Sequence, residues 1–218
     1  METLQDPGRI LLVNKPLHWT SFDVVNKLRY KLKTKKIGHA GTLDPLATGL
    51  LIVCVGKMTK RIEEFMGQEK EYTGKFIIGQ TTISHDLETA VSEPKDITHI
   101  SHELIYKTSD QFTGNLRQLP PQHSAIRIKG KRAYEFAREG KEIALAPREV
   151  TVRLFSIEEI KLPEISFRIV CSKGTYIRSL VRDFGEALQV GAYLSELCRT
   201  RIGEFRLEQA TTVEEIHL

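Results

Sequence analysis

The segment Gly38-His39-Ala40-Gly41-Thr42-Leu43-Asp44-Pro45-Leu46-Ala47-Thr48-Gly49 constrains this chain more than any other. Its three glycines and one proline break regular structure, yet such a run still needs a defined path. Pro45 biases Asp44 away from the α region, which places the only carboxylate of the segment in a loop. An imidazole, His39, stands five residues earlier. The apolar run Leu50-Leu51-Ile52-Val53-Cys54-Val55 follows at once and reads as a buried strand. A loop anchored on a buried strand is where a scaffold can hold a reactive group. By residue type alone, Asp44 fits a turn carboxylate as well as a reactive one.

The rest of the chain alternates strand and helix signals without a repeat. Ile10-Leu11-Leu12-Val13 reads as a short strand. Ser21 can cap a helix that carries Phe22, Val25, Leu28 and Leu32 on one face. A short helix runs through Ile62, Phe65 and Met66, and Glu71 to Ile78 returns to strand character. Residues 81–94 are polar and read as a loop, and Ile97, Ile100 and Leu104 suggest a helix. Phe112 to Gly130 reads as a long loop passing into a strand. Ala133, Phe136 and Ala137 mark a helix ended by Gly140. Alternation marks strands at Val150–Leu154 and Ile165–Cys171, and Leu180, Phe184 and Leu188 mark a further helix. Strands interleaved irregularly with helices predict an α+β fold, with a mixed, mostly antiparallel sheet flanked by helices.

A chain of 218 residues can bury a substantial core. It contains no apolar run near the roughly 18 residues of a membrane span, so no membrane association is expected. Glu2 and Asp6 stand where a secretory leader would be apolar. The three cysteines, Cys54, Cys171 and Cys198, are dispersed and suggest reduced thiols in a cytoplasmic protein. No spacing suggests a zinc site, and no metal is expected. Net charge is only +4, but the positive charge is clustered. Lys27, Arg29, Lys31, Lys33, Lys35 and Lys36 form one group, and Arg127, Lys129, Lys131 and Arg132 another. Either group can attract a phosphate backbone or simply be solvated.

Several motifs, in order, carry a family resemblance from about Arg9 to Ala210. They are Val13-Asn14-Lys15-Pro16, the Asp44 segment, Lys70-Glu71-Tyr72, Gln118-Leu119-Pro120-Pro121, Ser124-Ala125, Gly130-Lys131-Arg132-Ala133-Tyr134-Glu135 and Cys171-Ser172-Lys173-Gly174-Thr175-Tyr176-Ile177-Arg178. Together they resemble the bacterial tRNA pseudouridine-55 synthases, the TruB-type enzymes. The resemblance implies the pseudouridine synthase fold, with a bent sheet, and an isomerase that turns a T-loop uridine of tRNA into pseudouridine. It implies no cofactor, no obligate protein partner and a monomer whose partner is the tRNA T-stem loop. The catalytic domain is expected over residues 1–210; many family members continue into a small PUA-type RNA-binding domain, and as a departure from that pattern the tail 211–218 is too short for one.

In that chemistry the bond from ribose to uracil N1 breaks and a bond to C5 forms, with no change of oxidation state. The base must first leave its stack. The resemblance makes Asp44 the nucleophile or base. It leaves open attack at the sugar, attack at the ring, and a glycal route. Tyr72 is the residue that stacks on the flipped uracil and aids proton transfer at C5, although a packed sheet tyrosine has the same local pattern. Arg178 is expected to pair with the catalytic aspartate, since a guanidinium can grip a carboxylate bidentately.

Substrate-binding roles fall on Lys15, which frames the site, on His39, which enters the gap left by the flipped base, and on Leu197, which lines the uracil pocket. Asp86, Lys173, Tyr176, Arg127 and Arg132 complete the expected binding set. Two departures stand out. Thr82-Ile83-Ser84-His85-Asp86 replaces a family Thr-Asp-Thr-x-Asp pattern, so Asp86 keeps the last acid but Ile83 displaces the first. Arg127 stands where the family carries lysine after Ser-Ala-x. A folding or binding protein of the same shape without catalysis is a competing reading. So is an anion cradle for a small phosphorylated ligand, but the glycine loop does not follow the usual phosphate-loop spacing.

Overall fold

The computed structural model describes residues 8–124, 126–128, 130–141 and 143–217. In chain order, β1 (Arg9–Lys15) leads to α1 (Ser21–Lys31), β2 (Ile37–Ala40), β3 (Ala47–Val55), α2 (Ile62–Gly67) and β4 (Lys70–Ile78). Next come α3 (His102–Gln111), β5 (Gly114–Gln118), the short strands β6 (Arg127–Ile128) and β7 (Lys131–Arg132), and α4 (Ala133–Arg138). The chain finishes with β8 (Arg148–Lys161), β9 (Glu164–Cys171), α5 (Ile177–Ala187), β10 (Ala192–Ile202) and β11 (Phe205–Arg206). This is the expected α+β architecture, with mixed and mostly antiparallel strand pairing. Two compact units divide it. One holds the described residues up to Thr73 and from Glu196 onward, and the other runs from Gly74 to Ser195.

The first unit is built on β3. Its pairing with β1 is antiparallel from Arg9↔Val55 to Lys15↔Gly49. On its other side β2 pairs antiparallel with Ile52 to Val55, and β10 pairs parallel with Ala47 to Gly49. A strand enclosed this way reads as an unbroken apolar run, because both of its faces are buried. Alternate residues divide between two cores. Leu51, Val53 and Val55 meet Val24, Val25, Leu28 and Leu32 from the α1 region. Leu50, Ile52 and Cys54 meet Phe65 and Ile202. Each such leucine or isoleucine contributes about 1.5–3 kcal/mol by burial.

Two local expectations for α1 change. Thr20 caps the helix, and Asp23 returns the bond in a capping box. Ser21 is therefore free to turn its hydroxyl inward. The helix thus starts with a buried residue, and the inward stripe runs Ser21, Val24, Val25, Leu28 and Leu32. Phe22 lies off that stripe and is 58% exposed. Residues 211–216 pack into the same unit. Thr211 exchanges backbone bonds with Leu12 and Asn14, and Val213 and Ile216 join the α1 core. Lys31 donates to the Val213 and Glu214 carbonyls, an intramolecular role for one member of the basic cluster.

In the second unit, β8 pairs antiparallel with both β5 and β9. Phe76, Phe112, Phe155, Phe167 and Phe184 form a continuous aromatic cluster, and α5 buries Ile177, Leu180, Val181 and Phe184. Residues 114–118, expected within a loop, form β5. Asn115 and Arg117 face solvent on this strand, which hides the apolar periodicity. The expected helix through Ile97 begins only after Ser101, its cap, and buries Ile105 while Leu104 is exposed. Arg127 and Arg132 face each other across the β6–β7 hairpin. Ala125, of the Ser124-Ala125 motif, and Lys129, of the second basic group, lie outside the described residues, as does the Arg127 side chain.

Candidate active site

Asp44 lies in the connection from β2 to β3, where the edge of β3 changes partner from β2 to β10. The connection is bonded at nearly every turn. Ala47 N–H donates to the Asp44 carbonyl, 3.0 Å, and His18 N–H to the Pro45 carbonyl, 2.8 Å. Ser21 Oγ donates to the Leu43 carbonyl, 3.1 Å, while Leu43 N–H donates back to Ser21 Oγ, 2.8 Å. Arg199 Nε donates to the Leu50 carbonyl, 2.8 Å, and its Nη2 to the Gly41 carbonyl, 3.1 Å. Gly49 has φ +99°, and a Cβ there would collide with the Arg199 backbone.

Lys15 ends β1 with no exposed surface. Its ammonium donates to the carbonyls of Pro16, 2.9 Å, and Trp19, 2.6 Å, and more distantly to Pro45, 3.4 Å. Burial lowers its pKa to about 8, with Asp44 opposing that shift and Arg199 adding to it. Lys15 is thus predominantly charged at neutral pH and acts on Asp44 electrostatically. It also holds the loop by the Pro45 carbonyl.

His39 sits on β2 opposite Val53. Its pKa is lowered, first by burial and then by Arg199. A neutral imidazole suits stacking and hydrogen bonding. Leu197, on β10 opposite Ala47, accepts from Thr48 Oγ1 at 3.4 Å. The first unit therefore brings Lys15, His39, Leu197 and the Asp44 loop together. Tyr72 is a buried residue of β4, 8% exposed.

In the second unit, Arg178 is the second residue of α5 and is 3% exposed. Its Nη1 lies 3.2 Å from Asp86 Oδ2 and donates to the Ser84 carbonyl at 3.1 Å. Its Nη2 donates to the His123 carbonyl, 2.7 Å. Asp86 Oδ1 in turn accepts from Glu88 N–H, 3.0 Å. Arg178 and Asp86, two separate expectations, are thus one ion pair. His85 sits between Ser84 and Asp86 with φ +63°. Burial pushes its pKa down to about 4, and Arg182, Arg178 and His123 add to the effect. It is neutral at neutral pH.

Tyr176 and Lys173 belong to the turn ahead of α5. The Gln118 side chain holds the Tyr176 backbone from both ends, accepting from its N–H, 2.8 Å, and donating to its carbonyl, 3.0 Å. The Arg148 guanidinium covers the Tyr176 ring at 4.7 Å and donates to the Gly174 carbonyl. Lys173 is exposed. Arg132 N–H is bonded to the Glu135 carboxylate at the start of α4, 3.0 Å. Sequence reasoning missed Arg199, the inward role of Ser21, and the carbonyls of Ser84 and His123. Arg199 had one signal, a charged residue in a largely buried strand. The others had none, because backbone acceptors carry no residue code.

The TruB family pseudouridylate synthase N-terminal domain matches residues 29–177, and the tRNA pseudouridylate synthase B C-terminal domain matches residues 178–218. The chain belongs to the TruB family. It is 53% identical over 213 residues to tRNA pseudouridine synthase B of Flavobacterium johnsoniae, covering 94% of this chain and 93% of that protein. It is 52% identical over 208 residues to tRNA pseudouridine synthase B of Bacteroides fragilis, covering 93% and 89%. Its fold is similar to a chain in the crystal structure of a Cbf5-Nop10-Gar1 complex, with TM-score 0.73 and 29% identity. That similarity covers 94% of this chain and 52% of the other, so the chain spans about half the length of that neighbour. As a TruB-family member it is an RNA-binding isomerase with tRNA pseudouridine synthase activity.

Proposed function

We propose that this TruB-family chain isomerises the T-loop uridine of tRNA, position 55, with Asp44 as the nucleophile or base. The observation that most supports Asp44 is its loop, whose backbone is tied on both sides of Asp44 while Lys15 acts on that carboxylate electrostatically. Preorganisation of this kind is what a group needs when it must meet an extruded base. Tyr72 stacks on the flipped uracil and serves proton transfer at C5. Arg178 supports the carboxylate chemistry. The reaction conserves every atom and the oxidation state, so no cofactor enters its balance. Lys15, His39, Leu197, Asp86, Lys173, Tyr176, Arg127 and Arg132 contribute to substrate binding. The protein acts as a cytoplasmic monomer on the T-stem loop.

The test is incubation with an unmodified tRNA transcript, followed by chemical mapping of pseudouridine. A single modified site in the T loop is expected, and modification elsewhere with an untouched T loop would reject the target. An isolated T-arm hairpin should be nearly as good a substrate as full-length tRNA. Lys27, Lys33, Lys35 and Lys36 are exposed and available for phosphate contact. Binding should weaken with salt, and each neutralised contact should lower the logarithmic salt slope by roughly one. A strict need for the acceptor end would overturn this mode of binding and leave the isomerase chemistry standing.

A further inference from the structure

We propose that Ser21 and Arg199 are positioning residues that brace the Asp44 loop from its two flanks. The proposal rests on the reading that Asp44 carries the chemistry. Ser21 lies at the start of a helix, where a hydroxyl ordinarily caps. Here Thr20 and Asp23 already satisfy the helix start. The Ser21 hydroxyl is 2% exposed and bonds both backbone groups of Leu43, the residue before Asp44. One oxygen thereby fixes the N–H and the carbonyl of a single residue. The N–H bond anchors the Thr42–Leu43 peptide and the carbonyl bond the Leu43–Asp44 peptide, so both planes that flank Leu43 are tied to one hydroxyl.

Arg199 supplies the other flank. It is 1% exposed, and its guanidinium spans the carbonyls of Gly41 and Leu50, three residues before Asp44 and six after. Through its main chain the same residue pairs with Gly49. A planar guanidinium holds two carbonyls at a fixed separation, which a lysine ammonium on a flexible stem does not do. It thus joins the end of β2 to the start of β3 and sets the width of the loop mouth. Its bonds are to carbonyls, so its charge remains felt nearby, as its effects on His39 and Lys15 indicate.

Ser21→Ala, Ser21→Thr and Arg199→Lys are compared by single-turnover isomerisation at saturating tRNA, KM, thermal unfolding, and hydrogen exchange of residues 41–49. A displacement near 1 Å costs on the order of 10²-fold in rate, so Ser21→Ala should lose about 10–100-fold in rate with KM within about threefold. Ser21→Thr keeps the hydroxyl and should recover to within about threefold of wild type, while Arg199→Lys should lose about tenfold. Exchange should quicken in residues 41–49 ahead of the rest of the unit. Rates within about twofold of wild type for Ser21→Ala and Arg199→Lys would overturn the brace, as would losses appearing only in KM. If Ser21→Ala does not fold, Arg199→Lys decides alone by the same criteria. Asp44→Asn is run in parallel. A dead Asp44→Asn beside a fully active Ser21→Ala rejects the brace only. An active Asp44→Asn removes the assignment of Asp44 and the brace with it.

Discussion

Around Asp44 the bonds run to the backbone on either side of the charged residue, from Ser21, Lys15 and Arg199. Around Arg178 they run to the charged group itself, whose guanidinium meets Asp86 and the carbonyls of Ser84 and His123. The difference follows from side-chain length. An aspartate has a short side chain, so its carboxylate goes where the backbone goes. An arginine has several rotatable bonds, and only contacts at its tip fix the guanidinium.

The comparison breaks first at its most reactive group. Asp44→Asn keeps the backbone brace and the shape but removes the carboxylate proposed as nucleophile or base. Single-turnover isomerisation should fall by at least about 10³-fold, with tRNA binding retained. Near-normal turnover would remove Asp44 from the chemistry. Next comes the tip-held group. Asp86→Asn breaks the Asp86–Arg178 ion pair, and breaking a buried pair costs about 3–5 kcal/mol. Thermal unfolding should show that loss, and Arg178→Ala should lower the rate far more than the affinity for tRNA. Unchanged unfolding for Asp86→Asn would mean that the Asp86 carboxylate adds little to the hold on Arg178.

Tyr72 sharpens the comparison at smaller scale. Tyr72→Phe keeps the ring and should bind tRNA as wild type does while losing roughly 10²-fold in rate, whereas Tyr72→Ala should lose both. Equal rates for Tyr72→Phe and wild type would remove the hydroxyl from proton transfer.

The smallest effect is the pH dependence that His85 contributes on the Arg178 side. His85 titrates near 4 in the folded protein against an ordinary value of 6.5. Above 6.5 it is neutral folded and unfolded alike and contributes no slope. Between 6.5 and 4 the unfolded chain takes the proton first, so stability falls with pH, by at most about 3 kcal/mol. Below 4 the slope ends. Asn tolerates positive φ, so His85→Asn should fold and flatten this window in denaturant titrations across pH. An unchanged slope would assign the acid sensitivity to other groups.

Much of this was legible in one dimension. The Leu50–Val55 run gave away the buried central strand, and the glycine-proline segment placed Asp44 in a loop, because local sterics and hydrophobic period act over a few residues. The motif order was enough to suggest the family. Other parts were hidden. β5 exposes Asn115 and Arg117, and its strand character comes from pairing with β8, which local propensity does not encode. Ser21 and Thr20 are equally good caps by residue type. Which hydroxyl turns inward depends on Leu43, a neighbour 22 positions away in sequence.

The amino-acid order by itself determined the family motifs, and with them the residues proposed to act: a loop carboxylate, a sheet tyrosine and an arginine near a helix start. Only the tertiary structure decided who holds them. Lys15 and Arg199 became buried cations on carbonyls, and Asp86 and Arg178 became partners across 92 positions of sequence. The physical reason is that a reactive group is specified by its own side chain. Its orientation is specified by hydrogen bonds to backbone atoms that every residue carries, and those acquire an identity only when the chain folds.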